Sequence, residues 1–333
     1  MAVSLAVAYG LAFPLPYLAP LFALFLTAKP GPPMRIKALV ALMLVVSLTL
    51  GVGLLLTPLL THYPMSAILL VAVGVYASAY LTVGAGKALF GTLLTVGFTL
   101  ISAAGTIDAQ VASAVIDALL LAIGLAVVCS WVVYPLFPEN GVETGPRPES
   151  GPAGSVAGWI ALRSTLIVWP AYLLVLTNPA AYLPIIMKSV SLSQQANEVS
   201  AREAGRELLG STFLAGCLAI LFWFLLGLAT NLWMFFWWML LFGVYLAAKL
   251  YRAIGTRLRP SFWQNVIVTM LILLGPAVQD SANGDDVFAA FATRMGLFVF
   301  VTLYAWAAIV VLERLRNGRK KYRSSTDPET CPC

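Results

Sequence analysis

Long apolar stretches alternate with short polar or Pro/Gly-containing breaks along the whole chain. A helix rises about 1.5 Å per residue, so about 20 apolar residues are enough to cross the hydrocarbon core of a bilayer. The pattern therefore predicts an all-α polytopic membrane protein with about twelve transmembrane helices. We assign these helices to residues 2–13, 16–28, 36–60, 65–84, 87–105, 109–136, 159–177, 179–191, 204–229, 232–252, 261–278 and 286–313.

Two of the predicted helices, 16–28 and 179–191, are unusually short. Each would extend only about 18 Å, whereas the hydrocarbon core is about 30 Å thick. One interpretation is a broken helix that stops inside the membrane and faces a substrate. The other is a tight hairpin that serves packing alone.

The longest polar break divides the chain into two similar parts. Residues 138–158 are rich in Pro, Gly and Glu, which is typical of a linker. We therefore predict a first six-helix membrane unit at 1–137, a cytoplasmic linker at 138–158 and a second six-helix unit at 159–313. The basic tail at 314–333 is predicted to be disordered.

Short matches recur between the two units in the same order. They pair Gly74-Val75-Tyr76 with Gly243-Val244-Tyr245, Thr99 and Gly105 with Thr269 and Gly275, Lys37 with Arg206, and Pro14–Leu18 with Pro179–Leu183. Because each unit has six predicted helices, the matches predict two parallel six-helix repeats. Transporters built from such repeats place their substrate pathway between the halves.

The composition excludes several classes of protein. Apolar residues make up 60% of the chain and charged residues 10%, with a mean hydropathy of +0.90. Soluble domains are about 45–50% apolar and about 25% charged. A soluble enzyme, a DNA-binding protein and a disordered chain are therefore excluded, and the lipid bilayer is the expected environment.

The net charge of +6 is best explained by membrane topology rather than by a nucleic-acid partner. In the twelve-helix arrangement, every Lys and Arg except Arg294 falls on one side of the membrane. Positively charged loops face the cytoplasm. We therefore expect both termini in the cytoplasm and a location in the bacterial inner membrane.

No catalytic motif accompanies the apolar segments. The single histidine, His62, lies in a predicted loop, and no phosphate-binding glycine loop or metal-ligand spacing occurs. We therefore expect a protein that is not an enzyme and that has no cofactor or metal.

Among the charged residues inside predicted helices, Asp117 in 109–136 and Arg294 in 286–313 each lie about eight residues from the helix start. Such charges are costly in lipid and usually face the interior of a bundle. At equivalent depths in the two repeats, they are predicted to pair across the pseudo-two-fold axis. The pair could be a static ion pair, or a switch in which protonated Asp117 releases Arg294 to an anionic substrate.

Further candidates for substrate binding or coupling are basic and aromatic. Lys249 and Lys188, with Arg163, are predicted to form a basic cytoplasmic vestibule that attracts anions, although long basic side chains also extend to lipid headgroups. The repeated tyrosines are candidates as well: Tyr17, Tyr76, Tyr182 and Tyr245. A nearby aromatic cluster is either an interfacial belt or a stacking surface, and it contains Trp223, Trp233, Phe235, Phe236, Trp237 and Trp238.

Several short motifs resemble the fusaric-acid-resistance and aromatic-acid-exporter superfamily. These are Pro16-Tyr17-Leu18-Ala19-Pro20 through Thr27, then Lys37 and its helix, and the helix start from Arg206 to Thr212. The resemblance is incomplete, because Ala41 and Leu42 replace the expected Gly-Thr. The chain also lacks the large cytoplasmic domain of longer members and looks like a compact bacterial branch.

The resemblance implies an inner-membrane efflux permease for small organic acids, aromatic acids included. It also implies a periplasmic adaptor of the membrane-fusion type. With the residue-level features, this predicts a transporter that is coupled to protons, with an organic anion as substrate and a homo-oligomer as a further partner. The alternatives are a non-transporting scaffold or subunit of an envelope complex, and a passive channel.

Overall fold

The computed structural model describes residues 1–27, 33–86, 88–136, 154–195, 201–284 and 286–326. All regular secondary structure within these ranges is helical, which confirms the all-α class. Helix α5 is made of Ala88–Val96, a π-helical turn at Gly97–Ile101 and Ser102–Gly105. The other helices are α1 (Ala2–Gly10), α2 (Leu18–Thr27), α3 (Ile36–His62), α4 (Pro64–Gly84), α6 (Ala109–Val133), α7 (Gly154–Thr177), α8 (Pro179–Gln195), α9 (Ala201–Gly227), α10 (Leu232–Leu250), α11 (Pro260–Asn283) and α12 (Val287–Thr326).

Eight of the described helices are long and apolar enough to cross a membrane: α3, α4, α6, α7, α9, α10, α11 and α12. Helices α2 and α5 are apolar but shorter. Large apolar side chains stand exposed on the long helices, including Leu48 and Leu55 on α3 and Phe300 on α12. Exposed apolar surface of this extent suits contact with lipid. The fold is that of a polytopic membrane protein.

Helix α11 lies at the centre of the second half of the chain. In the apolar 18-residue stretch of α11, 83% of the residues are buried, compared with 22–50% in the corresponding stretches of the other long helices. It packs against α8, α9, α10 and α12 and also contacts α2. A helix that is enclosed on every side can carry polar groups that never meet lipid.

The short helices α2 and α8 lie where the two halves of the chain meet. Helix α2 packs on α1 and α6 and reaches α11, whereas α8 packs on α7, α11 and α12 and reaches α5. Helix α4 packs along α7, and α1 packs along α10. Elements of the two halves are therefore in direct contact at several places.

The centre of the first half is held by close backbone packing of α3 on α5. A Cβ atom on Gly53 would lie 2.0 Å from the carbonyl oxygen of Gly97, and one on Gly97 would lie 2.3 Å from the carbonyl oxygen of Thr49. Only glycine permits this approach, because any other side chain would collide with backbone atoms. The π-helical turn of α5 starts at this contact.

The structure differs from the sequence-based boundaries at several helix ends. Helix α12 continues to Thr326, past residue 314 where a disordered tail is predicted. The predicted linker 138–158 lies outside the described residues up to 153, and 154–158 form the first turn of α7. Apolar patterning marks where lipid contact ends, and a helix can continue into water beyond that point.

Candidate functional site

Among the lysines and arginines whose side chains the structure describes, only Lys188 is completely buried. It lies on α8, which buries the neighbouring Ile185, Ile186 and Val190 in the same interface. The predicted solvent-facing vestibule of Lys188 with Lys249 is therefore wrong. Helix α8 extends to Gln195, so Lys188 falls within the helix and not at its cytoplasmic end.

Two side chains of α11 accept hydrogen bonds from the Lys188 amino group. Its Nζ atom donates to Asn265 Oδ1 at 3.1 Å and to Thr269 Oγ1 at 2.6 Å. Residues four apart lie on the same face of a helix, so Asn265 and Thr269 present their oxygens together. Both side chains are fully buried.

The hydrogen bonds continue from α11 to α9. Asn265 Nδ2 donates to Ser211 Oγ at 2.5 Å, and Thr269 Oγ1 lies 3.3 Å from Asn265 Oδ1. Lys188, Ser211, Asn265 and Thr269 thus form one network across three helices, which we call the Lys188 cluster. Beside it, the hydroxyls of Thr212 and Thr302 lie 3.4 Å apart and join α9 to α12.

The Lys188 cluster has one cation and neutral partners. Three acidic side chains of the described residues pair with arginines and not with Lys188. Glu207 pairs with Arg259 at 3.4 Å, and Glu313 pairs with Arg163 at 3.7 Å. An ammonium has three donors, and the hydrogen bonds to Asn265 and Thr269 use two of them. One donor of a buried cation is left for a further acceptor.

The far end of α11 is covered by the turn between α1 and α2. The Tyr17 ring lies directly against Gly275, where a Cβ atom would come within 2.1 Å of its Cγ atom. Gln279 Nε2 donates to the Pro14 carbonyl at 3.2 Å. Ala12 in this turn has a φ angle of 52°, a conformation that is uncommon for residues other than glycine. The turn and α11 are thus joined across the two halves.

Arg294 pairs with Asp280 and not with Asp117, so the predicted Asp117–Arg294 pair is wrong. One guanidinium nitrogen of Arg294 donates to Asp280 Oδ1 at 3.0 Å, and a second contacts Oδ2. Asp117 is exposed on α6. The hydropathy pattern ends at 278, but α11 continues to Asn283 and turns the Asp280 carboxylate toward the next helix.

The remaining sequence candidates lie at other places. Lys249 Nζ stands 5.9 Å from the centroid of the Tyr245 ring and donates to the Gly255 carbonyl at 3.2 Å. Tyr245 and Tyr76 are both exposed, and Tyr182 is half-buried near the start of α8. None of them has a described contact with the Lys188 cluster. Trp233 and Trp237 point outward from α10, with 74% and 57% of their surface exposed.

Buried polar groups also occur in the first half, but they carry no charge. The hydroxyls of Ser78 and Thr95 lie 2.6 Å apart between α4 and α5. The hydroxyl of Ser102 lies 3.1 Å from that of Tyr172 on α7.

Asn265 and Ser211 were missed by the sequence analysis, and Thr269 appeared there only as a marker of the repeat. The available signal was the amide pair Gln264 and Asn265 inside a largely apolar segment. Such a group needs partners from other helices, since lipid offers none.

The fold and the Lys188 cluster together define a polytopic helical membrane protein with a buried cationic site. Residues 1–133 match the model of a family described as a protein of unknown function (DUF2955). This similarity covers less than half of the chain and assigns no activity. No curated protein and no solved structure matches the chain, so the resemblance to the fusaric-acid-resistance superfamily has no direct support.

Proposed function

We propose that this protein is a membrane transporter for small organic anions, aromatic acids among them, and that the Lys188 cluster is its substrate site. The observation that carries the proposal is the fully buried Lys188 ammonium, which is held only by neutral oxygens. Ionisable residues inside a membrane bundle are costly, and they typically mark substrate or ion pathways. A carboxylate would supply the missing counter-charge.

The position of the cluster is also typical of a transport site. We infer that α1–α6 and α7–α12 are two parallel repeats of six helices. Their contacts support this, since α4 packs on α7 as α10 packs on α1, and α3 packs on α5 and α6 as α9 packs on α11 and α12. Helix α8, which carries Lys188, lies between α11 and the α5 of the other half. Parallel-repeat transporters bind substrate at this interface.

The proposal includes twelve membrane-inserted segments with both termini in the cytoplasm of a bacterial cell. The sequence places all basic residues on one side except Arg294 and Lys188, which lies within α8, and this bias supports that topology. Outward transport, proton coupling, a periplasmic adaptor and a homo-oligomer belong to the proposal through the superfamily resemblance.

Other sequence candidates keep a place in the proposed pathway. Tyr17 lies over α11 beyond the Lys188 cluster, where it would contact a substrate that leaves the site. Lys249 with Tyr245 is a partly exposed cation–aromatic pair that would attract an anion. Tyr182 and Tyr76 are candidates for substrate contact by analogy within the repeat.

Transport of a labelled aromatic acid tests this proposal. The purified protein is reconstituted into vesicles without any other protein, and flux of labelled benzoate is compared for wild type, Lys188→Met and Lys249→Met. We expect Lys188→Met to lose flux, because the cation is removed while Asn265 and Thr269 still bond to each other. We expect Lys249→Met to lower flux less than Lys188→Met does, because the Lys249–Tyr245 pair would attract the anion without enclosing it.

The alternative is a scaffold in which the Lys188 cluster only ties three helices together. A scaffold gives no flux in vesicles that contain this protein alone. Substitutions in its exposed loops, rather than at Lys188, would impair its function. Wild-type flux that is unchanged by Lys188→Met would contradict the assigned site. Folded protein is confirmed for each variant by its elution as a single species in size-exclusion chromatography.

A further inference from the structure

We propose that Lys188 carries one proton together with each anion: it binds the carboxylate as an ammonium and releases the proton when the anion leaves. The inference rests on the proposed function, because it describes how the same site is coupled. It is carried by the enclosure of the Lys188 amine among neutral oxygens on α11 and by its free third donor.

The first step concerns the charge of the empty site. Burial disfavours the charged form of an amine when no opposite charge is near. Asn265 and Thr269 offer an oxygen each but no full negative charge. With the site empty and closed, the neutral amine is therefore the form that burial favours. A neutral amine still donates to one of these oxygens.

The second step concerns the groups on the helices that pack against α8. On α7, Arg163 pairs with Glu313 of α12, and the Tyr172 hydroxyl pairs with Ser102 of α5. Both titratable side chains of α7, Arg163 and Tyr172, therefore have a partner other than Lys188.

The other packed helices add few titratable groups. On α11 the only one is Asp280, which pairs with Arg294 of α12, and α5 carries none. The Tyr304 hydroxyl on α12 donates to the Leu166 carbonyl, and Tyr182 is the one other titratable residue of α8. On α9, the Glu207 backbone carbonyl accepts from Ser211 of the cluster. Among the side chains that the structure describes, no carboxylate forms an ion pair with Lys188, and a ligand carboxylate would supply its counter-ion.

The third step is the linkage between the two ligands. An anion that accepts from the third donor stabilises the ammonium, and the ammonium stabilises the buried anion. Thermodynamic linkage makes the effect reciprocal. The bound proton increases the affinity for the anion, and the bound anion increases the affinity for the proton by the same factor. A monovalent carboxylate and a proton then enter and leave as an electrically neutral pair, which lowers the cost of crossing the low-dielectric interior.

Calorimetry of benzoate binding to the purified full-length protein tests this linkage. The binding enthalpy is measured at about pH 8, where a carboxylate is fully ionised, in buffers that differ in ionisation enthalpy. The slope of enthalpy against ionisation enthalpy gives the number of protons bound. We expect about one proton per benzoate for wild type, and a Kd that rises up to about tenfold per pH unit on the alkaline side.

Lys188→Arg is the matched variant, because a guanidinium remains charged at every accessible pH. We expect it to bind benzoate with no proton uptake and with a Kd that does not change with pH. Lys188→Met lacks the cation, so the heat that it gives with benzoate measures the background from benzoate that enters detergent micelles. If wild type binds benzoate without taking up a proton, the coupling inference is overturned and the transport proposal stands. If wild type binds no benzoate or other small organic anion at any pH, both are overturned.

Discussion

Helix α5 is the fifth helix of the first half and α11 is the fifth of the second, yet the two accommodate buried polar groups differently. On α5, Thr95 and Thr99 donate to carbonyls of their own helix, Thr95 to Gly91 at 2.9 Å and Thr99 to Thr95 at 2.7 Å. Thr95 makes one further contact, with the Ser78 hydroxyl of α4. On α11 Asn265 bonds to side chains of other helices. Local hydroxyl bonds need no neighbour, whereas an amide requires an interhelical network.

The helices that face α5 and α11 differ in the same way. Helix α8 brings Lys188 to α11, and the position of α2 that corresponds through the Tyr17–Tyr182 match is the buried Ala23. The first half thus combines glycine-mediated backbone packing with neutral hydroxyls, and the second combines side-chain packing with a buried cation. Under the proposed function, the first half would support the bundle and the second half would carry the site.

The largest effect is expected when a lysine is placed in the half that lacks the network. Ala23→Lys would bury an ammonium without the Asn265 and Thr269 partners that Lys188 has. An unpartnered buried charge costs about 3–5 kcal/mol, so we expect little folded protein in membranes. Leu11→Lys, at an exposed position of the first half, is the control and should accumulate normally. Normal abundance and melting of Ala23→Lys would show that the network is not needed to hold a lysine.

The backbone contact in the first half should be the next most sensitive. Gly97→Ala places a methyl group 2.3 Å from the Thr49 carbonyl oxygen, so α3 and α5 must separate. Overpacking of this kind costs about 3 kcal/mol. Gly243→Ala has open space around it and should leave thermal unfolding of the purified protein unchanged. Equal melting temperatures for the two variants would refute the close-packing argument.

A substitution that makes α11 resemble α5 is expected to lower stability less than the two changes above, but to lower transport clearly. Asn265→Thr removes the amide that joins Ser211 to Lys188. It introduces the residue type that α5 has at the corresponding position, Thr95. Loss of a buried partner costs about 2 kcal/mol, and benzoate flux should fall because the ammonium loses its position. Gln264→Thr on the same helix, a half-buried neighbour, is the control for flux and melting. Full flux in Asn265→Thr would remove Asn265 from the site.

The smallest effect is expected at the ion pair beyond the cluster. A double-mutant cycle of Asp280→Asn and Arg294→Gln should give a coupling energy of about 1 kcal/mol, since both side chains are partly exposed. The same cycle with Asp117→Asn in place of Asp280→Asn should give a coupling near zero. A larger coupling for Asp117 would restore the pair that the sequence predicts.

Much of the fold could be predicted because the solvent dictates it. The helices α3, α4 and α6 were predicted near their observed bounds, since lipid requires long apolar helices. Lys188 was selected only as one of three basic residues of a predicted cytoplasmic vestibule, and its burial was not predicted. Its partners could not be predicted, since in a bundle surrounded by lipid nearly every helix face is apolar. The pattern then does not reveal how each helix is rotated.

By itself, the sequence determined the environment, the all-helical class and the short list of charges that had to be accommodated. Only the tertiary structure decided which groups accommodate them. It joined Lys188 to Asn265 and Thr269, joined Arg294 to Asp280 rather than Asp117, and brought Gly53 against Gly97. The physical reason is that hydropathy is a property of single residues in their solvent. A hydrogen bond or a close contact depends on the relative rotation and depth of two helices.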